Sequence, residues 1–194
     1  GMQKRYPLPR PFALLPIFVD TQKFKALTAA PRRGQLLWIG RFTQEKNPAL
    51  ALRAFAEALS KDSSVRLTLL GAGPLERTLH ALAASLSIEA QVHFAGWQDP
   101  APYLKEAELV LVTSHYEGYG MAMVEALTAG VPVLATDVGV AREAGAVITD
   151  EKEYTSALQT WLEGMRERGV LQLQGYKDEQ DYLTRTAAFY TSQL

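Results

Sequence analysis

The chain has 194 residues, 47% of them hydrophobic and 21% charged, with a formal net charge of −1. That length encloses a sizeable core without covalent staples. The absence of cysteine excludes a disulfide framework and any thiolate metal site or nucleophile.

Residues 1–46 carry nine Lys or Arg against Asp20 and Glu45, a net of +7, so the remainder carries −8. The basic end is either a solvated tail or a face toward an anionic ligand or membrane surface. No basic stripe with interleaved aromatics is present, so nucleic-acid binding is not expected. No apolar run approaches the roughly 18 residues of a membrane span, and no signal peptide opens the chain. The expected location is cytoplasmic, at most peripheral to the inner face of a membrane. Gly1 before Met2 reads as the remnant of a cleaved expression tag, so a fragment is expected.

Taken in order, residues 1–34 hold five of the ten prolines and no clean periodicity, and read as a lead-in or interdomain linker. Residues 35–40 read as a buried strand ending in Gly40. Asn47-Pro48 then caps a helix carrying Ala49, Leu50, Leu52, Ala54, Phe55 and Leu59 at helical spacing. The second unit is a strand at 65–70, a Gly71-Ala72-Gly73-Pro74 loop and a helix over 75–85. The third strand spans 91–94 and closes on Gly96-Trp97, and Asp99-Pro100 opens a brief helix to 107. A fourth strand at 108–113 leads into Ser114-His115-Tyr116-Glu117-Gly118-Tyr119-Gly120, followed by an apolar helix that ends at Gly130. A fifth strand at 131–136, a helical turn over 139–144 and a sixth strand at 146–148 follow.

Beyond Asp150, helices are expected over 151–167 and 178–192, with Trp161, Leu162, Tyr182, Phe189 and Tyr190 as packing residues. Strands alternating with helices at this rhythm give a doubly wound, Rossmann-like α/β domain, a parallel sheet of about six strands covered by helices on both faces. The domain is assigned to 35–150, and the helices of 151–194 pack on it. Trp38, Phe55, Met121 and Met123 are assigned to the core.

Ligands of such sheets bind beyond the carboxyl ends of the strands, near the point where strand order reverses. The residues placed there are Gly40, Arg41 and Lys46 after strand one, Gly71 and Gly73 after strand two, Gly96 and Trp97 after strand three, and the Glu117 loop after strand four. Two cations suit phosphate, glycines let backbone amides approach a ligand, and carboxylates accept from hydroxyls. A nucleotide sugar offers both kinds of group. Glu125 lies among Met123, Val124, Ala126 and Leu127, where a carboxylate is costly without hydrogen-bond donors. Either an Arg or Lys neutralises it, or it holds a ligand's hydroxyls. His80, His93 and His115 lack metal-ligand spacing, and His115 reads as structural.

Gly40-Arg41-Phe42-Thr43-Gln44-Glu45-Lys46-Asn47, Gly71-Ala72-Gly73-Pro74, Glu117-Gly118-Tyr119-Gly120 with Glu125-Ala126, Gly130-Val131-Pro132-Val133 and Thr136-Asp137-Val138-Gly139 stand in this order along the chain. Together they resemble the C-terminal, donor-binding domain of family four retaining glycosyltransferases (glycosyl transferases group 1), one half of a GT-B fold. Val19-Asp20-Thr21-Gln22-Lys23-Phe24 is similar to that family's interdomain segment.

The resemblance implies that Arg41 and Lys46 clamp the donor diphosphate and stabilise it as a leaving group. It implies that Glu125 accepts from the ribose hydroxyls and that Glu117 reaches the transferred sugar. The amides around Gly120, Met121 and Ala122 would meet the sugar and distal phosphate, and the backbone around Gly96 and Trp97 the base. The implied catalytic residues are Arg41, Lys46 and Glu117. The implied donor is a UDP- or GDP-linked hexose used without a metal or other cofactor. The acceptor is a glycan, lipid-linked or other molecule, held mainly by an N-terminal domain that this chain lacks.

Two stretches depart from the family. Val140-Ala141-Arg142-Glu143 keeps only the glutamate of a run with a second glycine and a proline, and the glycine-rich segment after Ile148 is missing. Two other readings stand beside the transferase: a catalytically silent module that binds nucleotide sugars, and a dinucleotide-binding dehydrogenase domain prompted by Gly71-Ala72-Gly73. The last lacks the third glycine of its fingerprint and leaves Arg41 and Lys46 unexplained.

Overall fold

The structure, a computed structural model, describes residues 19–27, 30–164, 169–173 and 179–191. Most of the lead-in read over 1–34 therefore lies outside the described residues, as do 165–167, 178 and 192 of the expected last helices. The chain divides into two units: Val19–Leu173, which holds the sheet, and a second to which the helix Glu179–Thr191 belongs.

Within the first unit a short helix, α1 (Thr21–Lys25), precedes strand β1 (Gln35–Ile39). Helix α2 (Pro48–Leu59), β2 (Arg66–Leu70), α3 (Glu76–Ser85), β3 (Val92–Gly96), α4 (Pro100–Glu106) and β4 (Leu109–Val112) follow. Then come α5 (Met121–Thr128), β5 (Val133–Thr136), α6 (Ala141–Ala144), β6 (Val147–Thr149) and α7 (Tyr154–Glu163). The six strands form one sheet in the order β3-β2-β1-β4-β5-β6, and every neighbouring pair is parallel. The expected doubly wound α/β fold is present.

The strands are apolar on both faces because both faces are covered. Successive side chains alternate between the two layers. Leu36, Trp38, Leu67, Leu69, Leu109 and Leu111 pack with Leu52 and Phe55 of α2, Leu79 of α3, and Tyr154, Leu158 and Trp161 of α7. Leu37, Leu70, Val110, Val112, Val133 and Ala135 pack instead with Phe24 of α1, Leu104 of α4 and Met123, Ala126 and Leu127 of α5. Trp38, Phe55 and Met123 are buried as expected. Met121 is not: it is 47% exposed, because the first residue of α5 stands on the open side of the helix.

Local chemistry explains the boundaries. Asn47 turns the chain in a left-handed conformation (φ 47°) and Pro48 occupies the first turn of α2, where its missing N–H costs nothing. Asp99 caps α4 by accepting from the Ala101 amide at 3.1 Å. Strand β3 runs to Gly96, beyond the expected end at Phe94. A register shift pairs Leu69 with Phe94 and Leu70 with Gly96, so the ladder resumes past an irregularity that the residue pattern does not disclose. Strand β5 starts at Val133, since Pro132 has no amide to contribute to a ladder. Strand β6 forms and pairs with β5 although the glycine-rich segment is absent.

The described part of the lead-in is docked. Asp20 caps α1, and Phe24 is 4% exposed among apolar residues of α4, α5 and the sheet. The amides of Ala30 and Arg32 donate to the carbonyls of Lys105 and Glu106, each at 2.9 Å. A five-residue helix anchored by one aromatic leaves no periodicity to read. At the other end, α7 is buried through Tyr154, Leu158 and Trp161. The helix Glu179–Thr191, α8, has no buried residue among those described, and Tyr190 is 65% exposed. Tyr182 and Phe189, expected as packing residues, are half-buried, and Tyr190 is exposed. Phe189 and Tyr190 instead meet each other edge to face, with ring centroids 5.5 Å apart.

Candidate functional site

Strand order reverses between β1 and β4, so the loops leaving these two strands lie side by side. Buried hydrogen bonds fasten them together. The Trp38 indole donates to the Thr113 hydroxyl at 3.0 Å, and that hydroxyl lies 2.8 Å from the Asn47 carbonyl and 3.1 Å from that of Lys46. The His115 amide donates to the Glu45 carbonyl at 2.8 Å. The turn before α2 is therefore held against the end of β4, and Lys46 reaches the loop beyond it.

There Lys46 Nζ stands 2.6 Å from Glu117 Oε2, with the two side chains 20% and 13% exposed. The Ser114 hydroxyl donates to Glu117 Oε1 at 2.8 Å. Both carboxylate oxygens of Glu117 are occupied, one by a cation that sequence reasoning assigned to a different part of the ligand. Arg41 is largely exposed and pairs with Glu45 at 2.7 Å. Ser114 and Thr113 were not singled out from the sequence, where a serine and a threonine after an apolar run carry no distinguishing signal.

Gly40, Gly71 and Gly73 have a packing duty. A Cβ on Gly71 (φ +150°) would lie 1.8 Å from the Gly40 carbonyl oxygen, and one on Gly73 (φ +159°) 2.7 Å from that of Phe42. These glycines let the loops after β1 and β2 touch backbone to backbone, and the Phe42 amide donates to the Ala72 carbonyl at 2.9 Å. Gly96 differs: it is left-handed (φ +72°), and a Cβ there would meet nothing within 4 Å. Beside it Trp97 is 75% exposed.

Helix α5 begins at Gly120, which is left-handed (φ +99°). The Gly120 carbonyl accepts from Met123 and Val124, while no acceptor among the described residues meets the amides of Met121 and Ala122. This is the usual state of a first helical turn and leaves partial positive charge at that end.

One turn further on stands Glu125. Burial pushes its carboxyl up to about 7; Lys23 opposes the shift and Asp99 adds to it. No described residue donates a hydrogen bond to it. The expected neutralising cation is only partly present, since the lysine that acts on Glu125 is engaged elsewhere: Lys23 Nζ lies 2.9 and 3.1 Å from the two oxygens of Asp99. Of the anticipated residues the structure brings Lys46 and Glu117 into contact; Glu125 lies further along α5, under the influence of Lys23 and Asp99, and Arg41 stays at the surface.

A cavity of about 410 Å³ opens at the carboxyl ends of β4, β5 and β6, lined among others by Ser114, His115, Thr136, Asp137, Arg142 and Glu151. Four of the groups lining it are paired: His115 Nδ1 meets Glu151, and Arg142 lies 2.9 Å from Asp137. His115 therefore has a partner, as a structural histidine should. Among the described residues, no group of three or more His, Cys, Asp or Glu is arranged to hold a metal ion, and no helix is long and apolar enough to cross a membrane.

The glycosyl transferases group 1 family model matches residues 19–161. A lipopolysaccharide core biosynthesis glycosyltransferase, LpsE, of Rhizobium meliloti is 32% identical over 121 residues, covering 62% of this chain and 34% of that protein. The D-inositol 3-phosphate glycosyltransferase of Rhodococcus opacus is 38% identical over 120 residues, 56% of this chain and 27% of its own. The chain thus spans about a third or less of these relatives. Among solved structures, Anabaena Alr3699/HepE in complex with UDP superposes with a TM-score of 0.72 at 20% identity, over 90% of this chain and 56% of that one. The sucrose-phosphate synthase of Thermosynechococcus elongatus gives 0.73 at 21% identity, over 93% and 52%. At such identities the superpositions speak for the fold, and with the family match they lead to one conclusion: the chain belongs to the glycosyl transferases group 1 family and is folded as one half of a GT-B enzyme.

Proposed function

We propose that this domain binds the nucleotide-sugar donor of a retaining hexosyltransferase. The donor is a UDP- or GDP-sugar, and the acceptor a glycan, lipid-linked or similar molecule. The observation that carries the reading is Glu125, a half-buried carboxyl in an otherwise apolar helix, pushed up to about 7 by burial and with no hydrogen-bond donor among the described residues. Ribose hydroxyls would supply the missing donors and the base would lie by Gly96 and Trp97. The diphosphate would meet Lys46, Arg41 and the free amides of Met121 and Ala122. The Anabaena structure that shares this fold is a complex with UDP, which supports the assignment.

The chemistry follows from charge. Breaking the anomeric C–O bond puts negative charge on the diphosphate and positive character on the sugar ring. Lys46 and Arg41 would stabilise the first, each contact being worth about 2 to 4 kcal/mol in the transition state. The N-terminus of α5 would add about 0.3 to 2 kcal/mol. Glu117, displaced from Lys46 by the phosphate, would turn to a hydroxyl of the transferred sugar.

The test is calorimetric titration of the chain with UDP, GDP, ADP and NAD in the presence of a chelator. A nucleoside diphosphate binds, Arg41→Ala weakens diphosphates far more than nucleosides, and Glu125→Ala weakens all ribosides. Failure of every nucleoside diphosphate to bind, or a preference for NAD, refutes the proposal.

A further inference from the structure

We propose that Lys23 of α1 is a positioning residue of the Glu125 site, held by Asp99 and drawn to the Glu125 carboxylate when that group accepts a ligand's hydroxyls. The proposal rests on the reading of Glu125 as a nucleotide-binding group and adds to it a residue from the segment ahead of the sheet.

The geometry supports an exchange of partners. Phe24, 4% exposed, pins α1 between α4, α5 and the sheet, so the neighbouring Lys23 is delivered to a fixed place. Its ammonium lies 2.9 and 3.1 Å from the Asp99 oxygens. Both partners are about half exposed, and such pairs add little stability, so leaving Asp99 is easy. Asp99 also keeps a task without Lys23, because it caps α4 through the Ala101 amide.

A carboxylate is the stronger acceptor for a diol, whereas burial favours the neutral acid at Glu125. Two charged groups are identified as acting on it, Lys23 from α1 and Asp99 from the loop between β3 and α4, with opposite signs. Lys23 is thus the group that favours the binding form, and Asp99 restrains it.

The experiment is calorimetric titration of the whole chain with UDP and GDP from pH 5.5 to 8.5, on wild type, Lys23→Met, Lys23→Arg and Asp99→Asn. Affinity rises with pH as Glu125 ionises, then levels. Lys23→Met lowers affinity near pH 7 by about twofold to fivefold, and by about threefold to tenfold well below the midpoint, the effect of moving a carboxyl by half to one pKa unit. It moves the midpoint of the rise to higher pH. Asp99→Asn moves the midpoint to lower pH, and Lys23→Arg restores wild-type behaviour. A merely structural lysine weakens binding equally at every pH and leaves both midpoints in place, which overturns the proposal. If wild type binds and its pH dependence vanishes in Glu125→Gln, but Lys23→Met and Asp99→Asn leave the midpoint unmoved, this inference falls and the donor-site reading stands. If wild type binds neither nucleotide, both fall.

Discussion

Replacing Glu125 by glutamine is expected to stabilise the ligand-free protein at pH 8 while impairing nucleotide binding. In the folded chain the carboxyl is raised from 4.5 to about 7; in the unfolded chain it titrates near its ordinary value. A group raised in this way binds more protons folded than unfolded between those two limits. Stability therefore falls as pH rises from about 4.5 to about 7 and is level beyond. A displacement of that size corresponds to a ceiling of about 3 kcal/mol, and residual contact with water reduces it to about 2 kcal/mol. Glutamine has the shape of the neutral acid and no charge to desolvate, so Glu125→Gln removes this slope. Urea unfolding at half-unit steps from pH 4.5 to 8.5 measures it. The two proteins coincide near pH 4.5 and diverge to about 2 kcal/mol above pH 7, with the variant the more stable. Parallel curves, or a variant less stable at pH 8, would mean that the carboxylate has a donor in the folded state. The argument that it awaits one from a ligand would then fail. A group that binding requires and folding resists is the expected form of a stability–function conflict.

Two further outcomes test the geometry. Gly71→Ala forces a Cβ to within 1.8 Å of the Gly40 carbonyl oxygen and is expected to cost about 3 kcal/mol or more. Gly96→Ala has open space around it and bears only the left-handed strain of about 1 kcal/mol; equal losses in thermal unfolding contradict the assigned contacts. Glu117→Gln keeps the Ser114 hydroxyl as a neighbour but gives up a charged acceptor. It is expected to weaken a nucleotide sugar by about tenfold, as for one hydrogen bond to a charged group, and the bare nucleoside diphosphate hardly at all. Equal effects on the two ligands in calorimetry remove Glu117 from the sugar site.

The strands were legible because a parallel sheet covered on both faces needs unbroken apolar runs such as Leu109 to Val112, and each run stands out between glycines and prolines; their order across the sheet was not. The ends of strands were less legible. Nothing in Phe94-Ala95-Gly96 announces that pairing resumes after a shift of register, and the proline that delays β5 acts through a missing amide rather than through polarity. Helix α1 escaped because one buried phenylalanine makes no pattern. Met121 was misjudged because an apolar side chain at the first position of a helix is turned by the entry of the chain, not by the periodicity downstream. At the site, Glu125 was conspicuous as an acid in an apolar helix. Its neighbours Lys23 and Asp99 were hidden, since a lysine and an aspartate far apart in the chain have no local signal. The close packing of Gly71 and Gly73 was hidden likewise: sequence supplied the need for small residues but not which backbone presses on them.

The pairing of charges at the site bears on what a donor site here would select. Arg41 rests on Glu45, Lys46 on Glu117 and Lys23 on Asp99, so each cation is held in place by an acid of the same protein. An anion arriving at Lys46 meets a lysine that must first release Glu117. Glu117 is 13% exposed, and losing its cation leaves a half-satisfied carboxylate in a place that water reaches poorly, an arrangement that costs free energy. Inorganic phosphate or pyrophosphate can take the lysine but brings no sugar hydroxyl to Glu117. On the proposed reading a nucleotide sugar would bring both, the diphosphate for Lys46 and the sugar hydroxyls for Glu117, so one ligand would satisfy both halves of the pair it separates. Selectivity for the complete donor over its fragments would then reside in the Lys46–Glu117 contact itself, and is expected to weaken when either member is made neutral.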